Sequence, residues 1–347
     1  MVFPLSFTAV LLVAFASLLL GALWALTPRA AGKWRFELFG IDFGFGVVLG
    51  ALCVGFTLGT FGDEITFYDN LNIMRKSSLL VLAGYGAFLN LGIMLLLGSI
   101  SLAGVAGTFL MGMGMATVTA AVGMNIFQPI MSPLYLALGC LLLLAGVGIA
   151  ATAHTSRVRQ RDTELLQKAV AAGLKGKLPR NSPAKGLVLS IVGGFLLGLA
   201  QPIALWTQSR DEIGFGAYSM GALFAAAFIV STPFYSLFFL NLPVQGEALS
   251  FLAWARGSGK QHLLGLAGGA LWYGSLIAML LAVTATPAAG VSRTLAFSIC
   301  RGSILVGAVL GIFHLGEFAG VSAARRQAMT ALAATTAGLL VFLLSRS

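Results

Sequence analysis

The sequence predicts an all-α integral membrane protein in which ten transmembrane helices form two inverted five-helix repeats. Of its 347 residues, 58% are hydrophobic and only 9% are charged, against about 25% charged in an ordinary soluble domain. Apolar stretches of about 20 residues, long enough to cross a bilayer, recur along the whole chain. The first half of the chain also resembles the second. A water-soluble surface cannot be built from this composition.

We place the helices from the length of each apolar stretch and from the polar, Gly or Pro residues that interrupt it. The first run begins at Pro4 and is too long for the apolar core of a cleaved signal peptide, so it is interpreted as a span. The short Ser99–Gly104 segment divides the third helix from the fourth. The ten predicted spans are 4–27, 38–61, 77–100, 102–126, 132–152, 186–207, 214–240, 262–284, 288–313 and 326–345.

These spans give a first repeat over residues 1–152, a basic linker over 153–185 and a second repeat over 186–347. Within the linker, Asp162 can cap a short helix that Gly176 and Pro179 would end. That helix either lies on the membrane surface or is simply a solvated linker helix.

Charge predicts the orientation in the membrane. The formal net charge is +10, but the basic residues lie in loops and do not form one polar face, which argues against nucleic acid as a partner. Fifteen Lys and Arg residues follow helices 1, 3, 5, 7 and 9, and about five lie on the other side. By the positive-inside rule, the central loop is cytoplasmic and both termini lie outside an inner (plasma) membrane.

Internal similarity predicts the inverted repeat. Leu79–Gly84 recurs as Leu263–Gly268, and Ala103-Gly104-Val105 recurs as Ala289-Gly290-Val291. Leu18–Gly21 is echoed by Phe195–Gly198. Because each half has an odd number of helices, the second half must enter the membrane upside down relative to the first, as in many secondary transporters.

Polar side chains within spans mark candidate sites, because each is costly in hydrocarbon. Arg301 lies about midway along an apolar helix and needs a carboxylate, several carbonyls or an anionic ligand. Asp42 could be its partner and is also the candidate ion-coupling residue, whereas the alternative places its carboxylate at the headgroup region. The other polar residues near or within spans are Asn90, Gln201, His314 and Glu317.

Asn90 and Gln201 suit recognition of an uncharged polar solute, although interhelical hydrogen bonds explain them nearly as well. Trp24 and Trp272 could stack on a ring of a solute or could be interface anchors. The predicted substrate contacts are therefore Asn90, Gln201, Arg301, Trp24 and Trp272. Cys53, Cys140 and Cys300 are interpreted as packing residues. Metal-protease, nucleotide-binding and serine-hydrolase motifs are absent from the sequence, which argues against an enzyme, and neither a cofactor nor a metal is expected.

Several segments resemble bacterial members of the drug/metabolite transporter (DMT) superfamily, in the branch grouped with plant ureide permeases and sugar porters. They are WRFELFGIDFGFG from Trp34, FTLGTFG from Phe56, NLGIMLLLGSISLAGVAGTFLMGMGMA from Asn90, HLLGLAGGALWYG from His262 and GIFHLGEF from Gly311. The resemblance covers nearly the whole chain and implies a DMT/EamA-like fold with a cavity between the halves. Trp34, Glu37, Asp42, Asn90 and Glu317 fall on its motifs.

The resemblance implies transport of a ureide, nucleobase, sugar or related solute, driven by a proton or sodium gradient. Two departures concern residues expected to line the cavity. Cys300-Arg301-Gly302 stands where relatives tend to carry glutamine, and the tryptophan-rich start of the first helix is reduced to Gly21-Ala22-Leu23-Trp24. We therefore expect a secondary active transporter embedded in the bilayer. The sequence allows a homodimer but does not require one. The alternatives are an exporter of the same superfamily, a scaffold or an embedded enzyme.

Overall fold

The computed structural model describes residues 1–62, 65–172, 182–210 and 216–345, and these residues form helices and turns without a strand. Nine helical stretches in this part of the chain are long and apolar enough to cross a membrane. The protein is therefore a multi-pass helical membrane protein. One stretch contains two helices, and we label the spans α1 Phe7–Ala30, α2 Phe36–Phe56, α3 76–103, α4 105–127, α5 Pro133–Ala171, α6 Pro183–Thr207, α7 Ala217–Asn241, α8 Gly259–Thr284, α9 Arg293–His314 and α10 Ser322–Leu344.

The chain reverses direction at Gly104, between α3 and α4. Gly104 has φ 84° and ψ 175°, outside the helical region. The hydroxyl oxygens of Ser99 and Thr108 lie 2.8 Å apart, whereas nine residues of straight helix span about 13.5 Å. The predicted division of this run into two helices is confirmed. A glycine is needed here because a side chain at positive φ is strained.

Helix α5 differs from the prediction, because it continues to Ala171 and does not end near residue 152. The segment after residue 152 contains neither Gly nor Pro before Gly173, so nothing interrupts the backbone hydrogen bonds. The separate helix predicted from Asp162 is therefore wrong; it is the polar extension of α5. Gly176 and Pro179 lie outside the described residues.

The helices that occupy the same place in the two halves pack against each other in opposite directions. Phe36 and Phe43 of α2 stack on Phe239 and Phe228 of α7, with ring centroids 5.7 and 6.2 Å apart. As the residue number rises on α2, it falls on α7, so these helices are antiparallel. Helices α5 and α10 are also antiparallel, since Gly139 lies against Phe342 and Gly146 against Thr335.

Other helix contacts also occur twice, once for each half. Each contact has a counterpart between the two helices that hold the equivalent positions in the other half, five helices away in the sequence. Helix α2 packs on α8 as α7 packs on α3; α1 packs on α8 as α6 packs on α3; and α1 packs on α9 as α6 packs on α4. Gly104 and Gly290, from the repeated Ala-Gly-Val sequences, both have positive φ, at 84° and 65°.

Met1 and Ser345, the first and last described residues, lie at the same end of the bundle. The N-terminal nitrogen of Met1 donates to the carbonyl of Ile65, and the Ser345 hydroxyl accepts from the backbone N–H of Ser132. The other end, which we call the basic face, holds the loops rich in Lys and Arg. Those residues within the described part are Arg29, Lys33, Arg35, Arg157, Arg159, Arg161, Lys168, Lys185, Arg256, Lys260, Arg325 and Arg326.

A pair of alanine substitutions tests the reversal at Gly104. A Cβ on Gly104 would lie 2.5–2.6 Å from the carboxyl atoms of Glu317, whereas a Cβ on Gly290 would meet no described atom within 4 Å. Both variants carry the cost of positive φ, about 1–2 kcal/mol, and only Gly104→Ala also displaces Glu317. We expect Gly104→Ala to melt at a clearly lower temperature than Gly290→Ala in detergent. Equal melting temperatures would contradict the packing described at Gly104.

Candidate functional site

A small cavity lies inside the bundle, between α1, α8 and α9, with α4 and α6 closing it. Its volume of about 30 Å³ accommodates one or two water molecules. The walls mix small polar groups, sulfur and indole rings, an arrangement that suits a polar ligand with an apolar body. The lining residues are Ser17, Gly21, Trp24, Met113, Leu197, Trp272, Ser275, Leu276, Met279, Cys300, Arg301 and Ser303.

Arg301 supplies the charge in this cavity. Its side chain is 2% exposed, and Nη2 donates to Oε1 of Gln201 at 2.6 Å. The guanidinium carbon lies 5.3 Å from the centroid of the Phe297 ring, within the range of a cation–π contact. The Nε–H has no acceptor among the described residues. A buried cation is therefore held by one neutral amide and one aromatic face.

The predicted pairing of Asp42 with Arg301 is wrong. Asp42 lies on α2 near the basic face, where Trp34, Trp254 and His262 surround it. The described part of the chain contains no carboxylate within 4 Å of the Arg301 guanidinium. Both residues are buried, so the headgroup alternative for Asp42 does not hold either, and the sequence does not indicate which helices are neighbours.

Trp24 and Trp272 both pack against Phe43. The ring centroid of Phe43 is 5.8 Å from that of Trp24 and 6.0 Å from that of Trp272. The tryptophans are 1% and 5% exposed, respectively. An interface anchor needs to reach the surface of the bundle, so the anchor interpretation does not hold for them. Both rings face the cavity.

Four of the described helices are irregular at the level of the cavity. Helix α1 tightens into a 3₁₀ turn over Trp24–Leu26, α4 widens into a π-helix over Phe109–Met113, α6 is interrupted at Leu199, and α9 is interrupted at Gly302. Interrupted spans in membrane proteins occur where the backbone is buried in protein or lines a cavity. Transporter sites are commonly built from such discontinuous helices. The irregularities thus coincide with the charged cavity.

Asn90 lies apart from the cavity, in the contact between α3 and α7. Its Nδ2 is 2.9 Å from the carbonyl of Phe228, 2.8 Å from the hydroxyl of Ser231 and 3.1 Å from that of Thr232. Its Oδ1 is buried without a partner among the described residues. The amide therefore joins two helices, as the interhelical alternative expected, and the cavity does not include it.

Asp42 accepts three hydrogen bonds in an aromatic cluster near the basic face. Oδ1 is 2.8 Å from Nε1 of Trp254 and 2.9 Å from Nδ1 of His262, and Oδ2 is 3.3 Å from Nε1 of Trp34. The carboxylate is 2% exposed. The indoles of Trp34 and Trp254 thus both donate to a buried acid. His262 was not predicted as its partner because the histidine lies on a distant part of the sequence.

Glu317 joins the two halves at the basic face. Its Oε1 accepts from the backbone N–H of Val105 at 2.6 Å, and Oε2 accepts from that of Ala106 at 2.9 Å. Arg29 at the end of α1 donates to Oε1 at 3.1 Å. These N–H groups begin α4, where the helix dipole also favours a negative charge. We call this group of contacts the Glu317 clamp.

Three serines of the cavity were not predicted from the sequence. Ser17 and Ser275 exchange hydrogen bonds, each hydroxyl donating to the other's carbonyl at 2.9 and 2.8 Å. Ser303 follows the interruption at Gly302 and lines the cavity. Serine satisfies its own helix backbone easily, so its presence in an apolar span is a weak signal.

Comparison with family models and with curated proteins finds no match. Among solved structures, one described only as the crystal structure of a protein is similar to this chain. The two share 15% identical residues over 96% of each chain, with a TM-score of 0.52. At this identity the likeness concerns the fold alone.

A double-mutant cycle tests the Arg301–Gln201 contact. Gln201→Leu removes the acceptor and leaves the buried cation unpaired, so we expect a loss of about 1–3 kcal/mol in the free energy of unfolding. In Arg301→Leu the cation is already absent, and a further Gln201→Leu change should cost less. The free energy of unfolding is measured in mixed detergent micelles for the wild type, the two single variants and the double variant. Strictly additive effects would contradict the contact.

Proposed function

We propose that this protein is a secondary active transporter that moves a small polar solute across the inner membrane by alternating access. The observation that carries the proposal is the cavity around Arg301. Its walls come from α1 and α4 of the first half and from α6, α8 and α9 of the second. A cavity between two halves of a helical membrane protein, with an unbalanced charge in its wall, is suited to binding a solute that both halves enclose.

The helix packing supports two inverted five-helix repeats. Helices α2 and α7 are antiparallel, as are α5 and α10, and the other pairs repeat at an interval of five. In such an architecture, a rocking motion of one repeat against the other exposes a central site to either side in turn. The resemblance of the sequence to the drug/metabolite transporter superfamily agrees with this architecture, and our proposal includes membership of that superfamily.

The two ends of the bundle differ in a way that suits this mechanism. At the basic face, the Glu317 clamp holds the Gly104 turn. The corresponding turn at the opposite face contains Gly290, and no atom of the described residues lies within 4 Å of a Cβ built there. We infer that the described conformation is closed at the basic face. The positive-inside rule makes this face cytoplasmic.

Asp42 is the coupling residue in this proposal, and its surroundings favour a proton over sodium. Sodium is a hard cation that is bound by several oxygen atoms, as are other such ions in proteins. The three groups around Asp42 are nitrogen sites on Trp34, Trp254 and His262. Indole N–H groups cannot coordinate a cation, whereas a carboxylate beside an imidazole can take up and release a proton.

Transport into proteoliposomes tests the assignment. Vesicles that contain the purified protein should accumulate at least one solute from a panel of neutral sugars, ureides, nucleobases and organic acids when a pH gradient is imposed. Empty vesicles and vesicles with dissipated gradients are the controls. If no solute is accumulated or exchanged, the proposed function is wrong.

The coupling role of Asp42 predicts a separation of two activities. Asp42→Asn keeps the size of the side chain but removes its charge, so we expect accumulation driven by a pH gradient to be lost while solute exchange without a gradient persists. Glu164→Gln is the matched control, because Glu164 is an exposed acid on the extension of α5. Retained gradient-driven accumulation in Asp42→Asn would exclude Asp42 as the coupling site.

A further inference from the structure

Two buried arginines in this protein have very different surroundings. Arg157 donates to the carbonyls of Leu102 and Glu317, lies over the ring of Phe318, and interacts electrostatically with the Glu317 carboxylate. Arg301 is equally buried, but its one acceptor is the neutral amide of Gln201. The Nε–H groups of both arginines lack an acceptor among the described residues. The difference is the charge nearby, because the Glu317 carboxylate acts electrostatically on Arg157, whereas the described part of the chain places no carboxylate within 4 Å of the Arg301 guanidinium.

An unbalanced guanidinium inside a membrane protein is expensive to maintain. Replacing the cation by an apolar side chain would remove that cost, so the charge needs a further purpose. Within the part of the chain that the structure describes, the Nε–H of Arg301 has no acceptor, and the side chain lines a cavity. An anionic group placed there would satisfy the free donor and neutralise the cation at the same time.

We propose that the solute is a small monocarboxylate, with its carboxylate bound by Arg301. This inference rests on the proposed function and specifies its substrate class. One guanidinium balances one negative charge. The remaining walls carry hydroxyl groups, sulfur atoms and indole rings, and Arg301 is the one cation among the described residues that line the cavity. A dicarboxylate would leave its second charge against apolar side chains, which is unfavourable.

The geometry around Arg301 assigns a role to each wall. In this proposal the guanidinium edge that Gln201 leaves free binds the carboxylate. Ser303 lines the same cavity, and its hydroxyl can donate to the solute. Trp24 and Trp272 flank the apolar body. The cavity of about 30 Å³ is smaller than such a solute. Met113 and Met279 line it, and these flexible side chains can move aside as the two halves separate.

Ligand-induced stabilisation of the full-length protein tests this substrate class. Purified protein in detergent is titrated with sodium lactate, disodium succinate or glucose at constant ionic strength and pH, and the melting temperature is recorded. We expect a saturable rise with lactate and a much smaller one with succinate or glucose. A rise with glucose and none with lactate would overturn the inference.

Substitutions test whether lactate binds at Arg301. Arg301→Gln should weaken the apparent affinity for lactate at least about tenfold, because a charged hydrogen bond is lost, while Arg301→Lys should retain part of it. Arg326→Gln is the matched control, since it removes the same charge from an exposed position at the basic face. Unchanged lactate affinity in Arg301→Gln would overturn the inference.

If Arg301→Gln does not fold, Ser303→Ala should still weaken lactate binding, and an unchanged affinity in that variant would equally contradict the site.

Transport distinguishes failure of this inference from failure of the proposed function. Proteoliposomes that exchange lactate support both. Proteoliposomes that transport a neutral solute but not lactate would refute the monocarboxylate assignment and leave the transporter proposal intact. Proteoliposomes that transport nothing from the panel would refute both.

Discussion

The Glu317 carboxylate holds together three segments that meet at the basic face. It accepts from the first two N–H groups of α4, which the reversal at Gly104 leaves without helical acceptors, and it pairs with Arg29 at the end of α1. Glu317 belongs to the second half of the chain, whereas Gly104 and Arg29 belong to the first. The positions of α1, α4 and α9 around the cavity therefore depend on this one side chain.

Helix α8 connects the two charged sites of the bundle. It carries His262, which contacts Asp42, and it also carries Trp272 and Ser275 at the cavity. Ten residues of helix separate His262 from Trp272, which is about 15 Å along the axis. A change in protonation at Asp42 that shifts α8 would thus alter the wall opposite Arg301. In the proposed transporter, this arrangement would be the physical route by which an ion gradient acts on the solute site without sharing its ligands.

Sequence patterns predicted where the helices lie more accurately than which helices contact each other. The length of apolar stretches locates nearly every span, and the break at Gly104 follows from a short polar segment. The end of α5 could not be predicted, because its polar extension contains no helix breaker before Gly173. At the site, the cost of polar groups in hydrocarbon identified Arg301 and Gln201. The same reasoning assigned Asp42 to Arg301 and Asn90 to the solute, because depth in the membrane does not indicate which helix faces which.

Cysteine labelling tests most directly whether the cavity around Arg301 opens to alternate sides. Cys300 lines the cavity, and Cys53→Ala with Cys140→Ala leaves it as the sole cysteine. A membrane-impermeant, anionic thiosulfonate is applied to right-side-out and inside-out vesicles. The account predicts reaction from the face opposite the basic face, and reaction from the basic face as well once Glu317→Gln has weakened the clamp. Lack of reaction from either face in both proteins, or an unchanged pattern in Glu317→Gln, would contradict it.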